Sequence, residues 1–259
     1  MILPFFQVDA FAPRPLTGNP AAVMPLEEWL PDRMLQAIAA ENNLSETAFT
    51  VPCDTDDADY HLRWFTPTTE VELCGHATLA SGHILLRGEQ VRFSTRSSIL
   101  SVSQEGDHLW LDLPASKVDR AELPDALAAL RLTDREVYRG LGGNGAILVL
   151  LEDEATVRAV QPDFTLLRNI PSLVMVTAPG NRQDIASRVF AAYHGIDEDP
   201  VTGSAHCALV PFWAERLGRT SFNAAQVGRR PGLLECRLEG DRVKLGGTCF
   251  TTIEGSFQL

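Results

Sequence analysis

The feature that most constrains the fold of this sequence is an internal repeat. Each copy reads as a strand containing Arg-x-Phe, an acidic segment, a glycine followed by a small polar residue or histidine, and an alanine-containing helix. The first copy runs through residues 63–65, 70–72 and 74–77, and the second through 188–190, 197–199 and 202–205. A repeat of this size predicts two related α/β halves, each a supersecondary unit with its own helix.

Hydrophobic periodicity and turn signals place the other elements. Predicted helices cover residues 31–41, 77–86, 125–130, 155–160 and 205–217, and predicted hairpins pair 99–102 with 109–113 and 233–238 with 242–245. Residues 18–20 (Gly-Asn-Pro) and 142–145 are interpreted as turns, the latter because it lacks the lysine of a phosphate loop. The halves are predicted to be 1–115, completed by a closing strand at 250–259, and 116–249.

Charge and composition exclude several classes of protein. The 259 residues carry a net charge of −12, so a basic surface for nucleic acid is not expected. No apolar run reaches the roughly 18 residues of a membrane span, and residues 1–6 lack a basic signal-peptide start. The five cysteines are widely spaced with no Cys-x-x-Cys, which favours reduced thiols in the cytoplasm and no zinc site. His76 and His83, seven residues apart, make a weak metal pair, and no metal is predicted.

Both copies of the repeat place a glycine at a helix start, Gly75 in the first and Gly203 in the second. Unsatisfied N–H groups and the positive end of the helix dipole make such a position suited to anions. Two of these helix starts, with Ser204 beside the second, would bind a carboxylate without an arginine. The alternative is that the glycines only ease tight turns.

Three residues are candidates for proton chemistry. Glu46 is flanked by apolar residues, and partial burial would raise the pKa of its carboxyl toward that of a general base; the alternative is an exposed turn glutamate. His76 at a helix start should be neutral and able to shuttle one proton, or else it is a capping or core histidine. Asp199 either caps the turn into the second helix or polarises a substrate group.

Five motifs occur in an order that strongly resembles the PhzF-like family, the relatives of the phenazine-biosynthesis isomerase. They are Gly-Asn-Pro-Ala-Ala-Val at 18–23, Asn-Leu-Ser-Glu-Thr-Ala-Phe at 43–49, Arg-x-Phe-x-Pro at 63–67, Leu-Cys-Gly-His-Ala-Thr at 73–78 and Glu-Asp-Pro-Val-Thr-Gly-Ser-Ala at 198–205. The resemblance implies the diaminopimelate epimerase fold, an α/β (α+β) architecture of two pseudo-symmetric halves. Each half would be a curved mixed sheet around a central helix, with the site between the halves.

The resemblance also implies a function. Glu46 would be the acid/base glutamate, His76 and Asp199 its catalytic partners, and Gly75, Gly203, Ser204 and Asn19 the substrate-binding positions. PhzF moves a proton between ring carbons of trans-2,3-dihydro-3-hydroxyanthranilate without a cofactor, and members of the family are usually homodimers. A cofactor-independent isomerase acting on a small unsaturated carboxylic acid is therefore expected, with no nucleic-acid or membrane partner.

Two other functions stay open at this stage. An epimerase or racemase of the two-thiol type needs one cysteine in each half; Cys74 occupies the first place, but aligning the halves puts Pro200 at the second, with Cys207 too late. A non-catalytic small-molecule binder is the third class. Residues 191–194 and 226–232 depart from the family pattern and could alter substrate choice.

Overall fold

The computed structural model of the chain describes residues 1–140 and 145–259, and forms two compact units. The first comprises Met1–Asp112 with Gly246–Leu259, and the second Leu113–Leu245. The predicted turn at 142–145 falls largely outside the described residues. No helix within the described ranges is long and apolar enough to cross a membrane.

The first unit is a mixed sheet with two helices. Its strands are β1 (Ile2–Ala10), β2 (Asn19–Pro25), β3 (Glu46–Thr55), β4 (Ala58–Phe65), β5 (Glu70–Val71), β6 (Gln90–Ser94), β7 (Ile99–Glu105), most of β8 (His108–Pro114), and β18 (Cys249–Gln258); its helices are α1 (Asp32–Asn42) and α2 (Gly75–Leu85). β1 pairs antiparallel with both β18 and β2, and β2 pairs parallel with β3. β4 pairs antiparallel with β3 and β5 and parallel with β6, and β7 lies antiparallel between β6 and β8.

The second unit repeats this order. Its strands are β9 (Val118–Ala121), β10 (Glu136–Gly140), β11 (Ile147–Leu150), β12 (Val174–Pro179), β13 (Ile185–Ala191), β14 (Ile196–Asp199), β15 (Ser221–Gln226), β16 (Gly232–Glu239) and most of β17 (Arg242–Gly247); its helices are α3 (Pro124–Leu130), α4 (Glu154–Ala159), α5 (Phe164–Leu167), a 3₁₀ turn (Ala192–His194) and α6 (Gly203–Leu217). The β10-to-β15 pairings match those of β1 to β6, one for one: antiparallel, parallel, antiparallel, antiparallel and parallel. The predicted repeat is therefore confirmed within each unit.

The central helices α2 and α6 are buried almost all round, as expected for helices that are apolar on every face. Nine of the eleven residues of α2 are buried. Its Gly82 lies so close to β7 that an added Cβ would come within 2.5 Å of a methyl carbon of Val102. The buried hydroxyls of Thr78 and Ser81 donate hydrogen bonds to carbonyls four residues earlier, at 2.6 and 2.7 Å. Neither hydroxyl is therefore buried without a hydrogen-bond partner.

The repeated Arg-x-Phe segments form the same side-chain arrangement in each unit. Arg63 makes two hydrogen bonds to Glu70, both 2.8 Å, and Arg188 makes two to Glu198, at 2.7 and 2.9 Å. Each guanidinium also lies 5.1 Å from the ring of the phenylalanine two residues later. In each unit, the two hydrogen bonds to the carboxylate satisfy the charge of an arginine that is largely buried by the sheet. The acidic segments of the repeat thus have a structural partner.

The segment at 18–20, predicted as a turn, is only partly a turn. Gly18 has a φ of +68°, but Asn19 and Pro20 already belong to β2 and pair with β1. An added Cβ on Gly18 would lie 2.3 Å from the carbonyl oxygen of Ala10. The turn ends at Gly18 because glycine, having no Cβ, can adopt a left-handed backbone conformation this close to another backbone carbonyl.

Candidate active site

Three elements of the first unit bring a histidine, a glutamate and an asparagine together. Glu46 begins β3, Asn19 begins β2, and His76 is the second residue of α2. Because β2 and β3 are parallel, with Ala21 opposite Glu46, their first residues lie at the same edge of the sheet. Nε2 of His76 is 3.2 Å from Oε2 of Glu46, and Nδ1 of His76 is 3.1 Å from the amide nitrogen of Asn19.

His76 is buried, and this burial lowers its pKa to about 3. The imidazole is therefore neutral at ordinary pH, as the sequence predicts, although desolvation is the main physical cause. Within residues 1–140 and 145–259, no acceptor is aligned with Nε2 to complete a hydrogen bond, so its approach to Glu46 is close but not fully directed. An N–H on this nitrogen can donate a hydrogen bond to a bound molecule or to the carboxylate.

Glu46 is partly buried, with 13% of its side chain accessible. That agrees with the predicted partial burial. The raised carboxyl pKa that the sequence analysis attaches to this burial stays a prediction. Cys74, the residue before α2, completes the group, with its Sγ 3.6 Å from Nδ1 of His76.

The remaining predicted residues lie in the second unit, around the start of α6. Asp199 ends β14 and is buried, and its Oδ2 accepts a hydrogen bond of 2.5 Å from the hydroxyl of Thr202. Gly203 and Ser204 are the first two residues of α6. The structure thus gathers Asn19, Glu46, Gly75 and His76 in one unit and Asp199, Gly203 and Ser204 in the other. That the two groups face one site stays a prediction.

Sequence reasoning missed Gln226 as the residue that holds this second group. Gln226 ends β15, is 1% exposed, and accepts a 3.0 Å hydrogen bond from the backbone N–H of Thr202. Its amide nitrogen donates to the backbone carbonyl of Asp199 at 2.5 Å. From sequence, Gln226 is named only as part of the segment 226–232 that departs from the family pattern; the available signal was a glutamine at the end of a strand.

The two helix starts correct the alignment of the halves. Cys74 and Thr202 are the residues immediately before α2 and α6, and both have an extended backbone. Thr202, and not Pro200, therefore stands where a second thiol would be. A threonine hydroxyl is too weak an acid to replace a thiol as an acid/base partner, so the two-thiol requirement is not met.

Strand register shows a second difference between the units. Thr47 pairs with Phe65 on β4, and Val174 pairs with Phe190 on β13. Since these phenylalanines are equivalent in the repeat, the residue preceding Val174, Leu173, corresponds to Glu46. The second unit thus has a leucine at the position of the carboxylate.

One group of the described residues has donor types that metals accept: Glu46, Cys74 and His76 each place a ligand atom within 4.8 Å of the others. The spacing of His76 and His83 pointed to a different pair. His83 instead approaches Thr251, with its Nε2 3.1 Å from the hydroxyl oxygen.

Comparison with known proteins identifies the family. The model of the phenazine biosynthesis-like (PhzC-PhzF) family matches residues 8–255. An uncharacterised isomerase of Pseudomonas aeruginosa is 49% identical, with all of both chains covered. A crystal structure of a PhzF-family protein from Enterococcus faecalis superposes with a TM-score of 0.92 at 42% identity, again over all of both chains.

A more distant structure supports the predicted fold class. A hydroxyproline epimerase from Agrobacterium vitis gives a TM-score of 0.63 at 12% identity, over 98% of this chain and 92% of that one. The α/β class with an epimerase-like fold is confirmed. Together with the family match and the motifs of the site, these findings show that the chain belongs to the phenazine biosynthesis-like, or PhzF, family.

Proposed function

We propose that this protein is a cofactor-independent isomerase that moves a proton on a small unsaturated carboxylic acid, with Glu46 as the acid/base. The observation on which this proposal depends is the 3.2 Å approach between Glu46 and a buried, neutral His76. A carboxylate in this setting can remove a proton from carbon beside an unsaturated acid and return it to another carbon. The isomerase names of its relatives support this reaction class.

The differences between the two units support one acid/base in place of two. Leu173 stands where the second unit would carry a matching carboxylate, and Thr202 stands where it would carry a second thiol. A two-base epimerase needs matched groups on opposite faces of its substrate. A single carboxylate is sufficient for an isomerase, because the same group accepts the proton and later gives it back.

The helix starts are proposed to hold the substrate. The N–H groups at Gly75 and Gly203 would bind the carboxylate or the oxyanion that develops when the proton leaves. Ser204 would add a hydroxyl, and Asp199 would orient a polar group of the substrate. This arrangement requires the two units to enclose one cleft, as the resemblance implies.

The test is proton NMR in D₂O with 2,3-dihydro-3-hydroxyanthranilate and a panel of cyclic unsaturated acids. We expect deuterium entry or double-bond migration with the wild-type protein, and a rate about 100- to 10,000-fold lower for Glu46→Gln. Glu41→Gln, an exposed carboxylate on α1, is the matched control and should react at the wild-type rate. Unchanged turnover in Glu46→Gln would exclude Glu46 as the base.

A further inference from the structure

Asn19 is wholly buried, and its amide joins two neighbours. Oδ1 accepts a hydrogen bond of 3.3 Å from the hydroxyl of Ser45. The other end of the amide, Nδ2, points to Nδ1 of His76 at 3.1 Å. The resemblance makes Asn19 a substrate-binding residue, but its amide is directed at the histidine.

This contact determines which nitrogen of His76 holds the proton. An amide nitrogen can only donate, so Nδ1 must offer its lone pair. A neutral imidazole has one N–H, which must then be on Nε2, the nitrogen that faces Glu46. The asparagine thus selects one of two tautomers that burial alone would leave open.

The same contact bears on metal binding. Glu46, Cys74 and His76 supply the carboxylate, thiol and imidazole donors of a typical zinc or cobalt site, all within 4.8 Å. A metal needs a nitrogen lone pair from His76. Nε2 carries the proton, and the lone pair of Nδ1 is occupied by the amide of Asn19.

We propose that Asn19 is a positioning residue that fixes His76 as the Nε2–H tautomer and thereby keeps the Glu46–Cys74–His76 cluster free of divalent metal. The value of that proton for turnover rests on the proposed function. The tautomer and the exclusion of metal do not, and both can be measured without a substrate.

An aspartate at position 19 should reverse both properties. It has nearly the same shape, but its carboxylate accepts a hydrogen bond from Nδ1–H and leaves a lone pair on Nε2. Carboxylate–histidine pairs of this kind orient and strengthen metal-binding histidines, by about 10- to 100-fold in affinity. Asn19→Asp should therefore bind Co²⁺ at least about tenfold more tightly than the wild-type protein.

The tautomer is read by nitrogen NMR of histidine labelled with ¹⁵N. The spectrum contains its own reference, because Nδ1 of the buried His206 lies 2.8 Å from the carbonyl oxygen of Thr202, which can only accept. His206 must then be the opposite tautomer. We expect a bare Nδ1 and a protonated Nε2 for His76, assigned by loss of its signals in His76→Gln; a protonated Nδ1 on His76 would overturn the proposal.

Metal binding is measured by Co²⁺ titration, following the absorption band of a cobalt–thiolate bond. Asn19→Asp should develop this band, and Asn19→Asp combined with Cys74→Ser should not. A wild-type protein that forms the Cys74 thiolate band as readily as Asn19→Asp refutes the exclusion of metal. Asn19→Ala covers the case of a poorly folded aspartate variant: it should show both His76 tautomers, and an unchanged tautomer would refute the role of Asn19. The NMR and cobalt measurements need no substrate. Their results therefore do not depend on whether Glu46→Gln loses turnover, and the two proposals can fail separately.

Discussion

Mild acid should destabilise this protein through two buried histidines. Burial lowers the pKa of His76 to about 3 and that of His206 to about 4, whereas an unfolded histidine titrates near 6.5. Between the folded and unfolded pKa values, the histidines bind protons in the unfolded chain but stay neutral in the folded chain. The stabilising contribution of each neutral histidine is therefore complete above about pH 6.5 and is lost as the pH falls.

The size of the effect follows from these pKa values. From pH 6.5 to pH 5, proton uptake by one unfolded histidine lowers the free energy of unfolding by about 1.6 kcal/mol, so His76 and His206 together account for about 3 kcal/mol. That is a large share of the 5–15 kcal/mol typical of a folded domain. Carboxylates with a lowered pKa, such as Glu154 beside the backbone N–H of Asn181, change the free energy of unfolding mainly below about pH 5. Between pH 6.5 and pH 5 the pH dependence therefore comes mainly from histidines.

The matched variant is supplied by the repeat itself. Thr78 holds in α2 the position of His206 in α6, and its hydroxyl makes the corresponding hydrogen bond to the carbonyl four residues earlier. His206→Thr can keep that bond but cannot take up a proton. Urea unfolding followed by circular dichroism at pH 6.5, 6.0, 5.5 and 5.0 should show that the variant loses about 1.6 kcal/mol less than the wild type over this range.

His194→Thr, which alters an exposed histidine in the 3₁₀ turn, should unfold with the wild-type pH dependence. The smaller volume of threonine will shift the stability of His206→Thr at every pH by the same amount, so the comparison depends on slopes. If His206→Thr keeps the full wild-type slope, His206 is not held neutral by burial and the reasoning fails.

Two further predictions concern stability. Gly18→Ala should lower the free energy of unfolding by about 3 kcal/mol, because its Cβ would lie 2.3 Å from a carbonyl oxygen. Gly240→Ala, also at positive φ but in open space, should lower it by about 1 kcal/mol. Equal urea midpoints for the two variants would contradict this. Arg188→Met should cost about 3–5 kcal/mol because Glu198 loses its two-point partner, and adding Glu198→Met should recover part of the loss, as urea unfolding of the single and double variants would reveal.

Local sequence signals were enough for the parts of the fold that depend on neighbouring residues. The repeat predicted helices that begin near Gly75 and Gly203, and the tight turns predicted the hairpins of β7 with β8 and β16 with β17. Short polar strands gave no such signal. β14 reads as an acidic segment, and it becomes a strand only because it pairs with β13.

The site was less accessible to sequence reasoning, because its contacts join distant parts of the chain. The helix start explains why His76 is a candidate, but its approach to Glu46 depends on the register of β2 and β3. The contacts of Gln226 with the Asp199 turn and of Ser45 with Asn19 follow from the same long-range pairing. No spacing along the chain encodes them, which is why these two residues were overlooked.

The repeat also separates what the scaffold requires from what the chemistry requires. Pairs that support each sheet are preserved in both units, as in the two Arg–Glu contacts. The residues near the candidate site are not preserved: Thr202 is at the position equivalent to Cys74, and Leu173 at the position equivalent to Glu46. If both units performed the same proton step, the second would need a group of comparable acidity. Because it has none at these positions, the proposed proton transfer begins and ends at Glu46, and a proton removed by this carboxylate returns to the same face of the substrate.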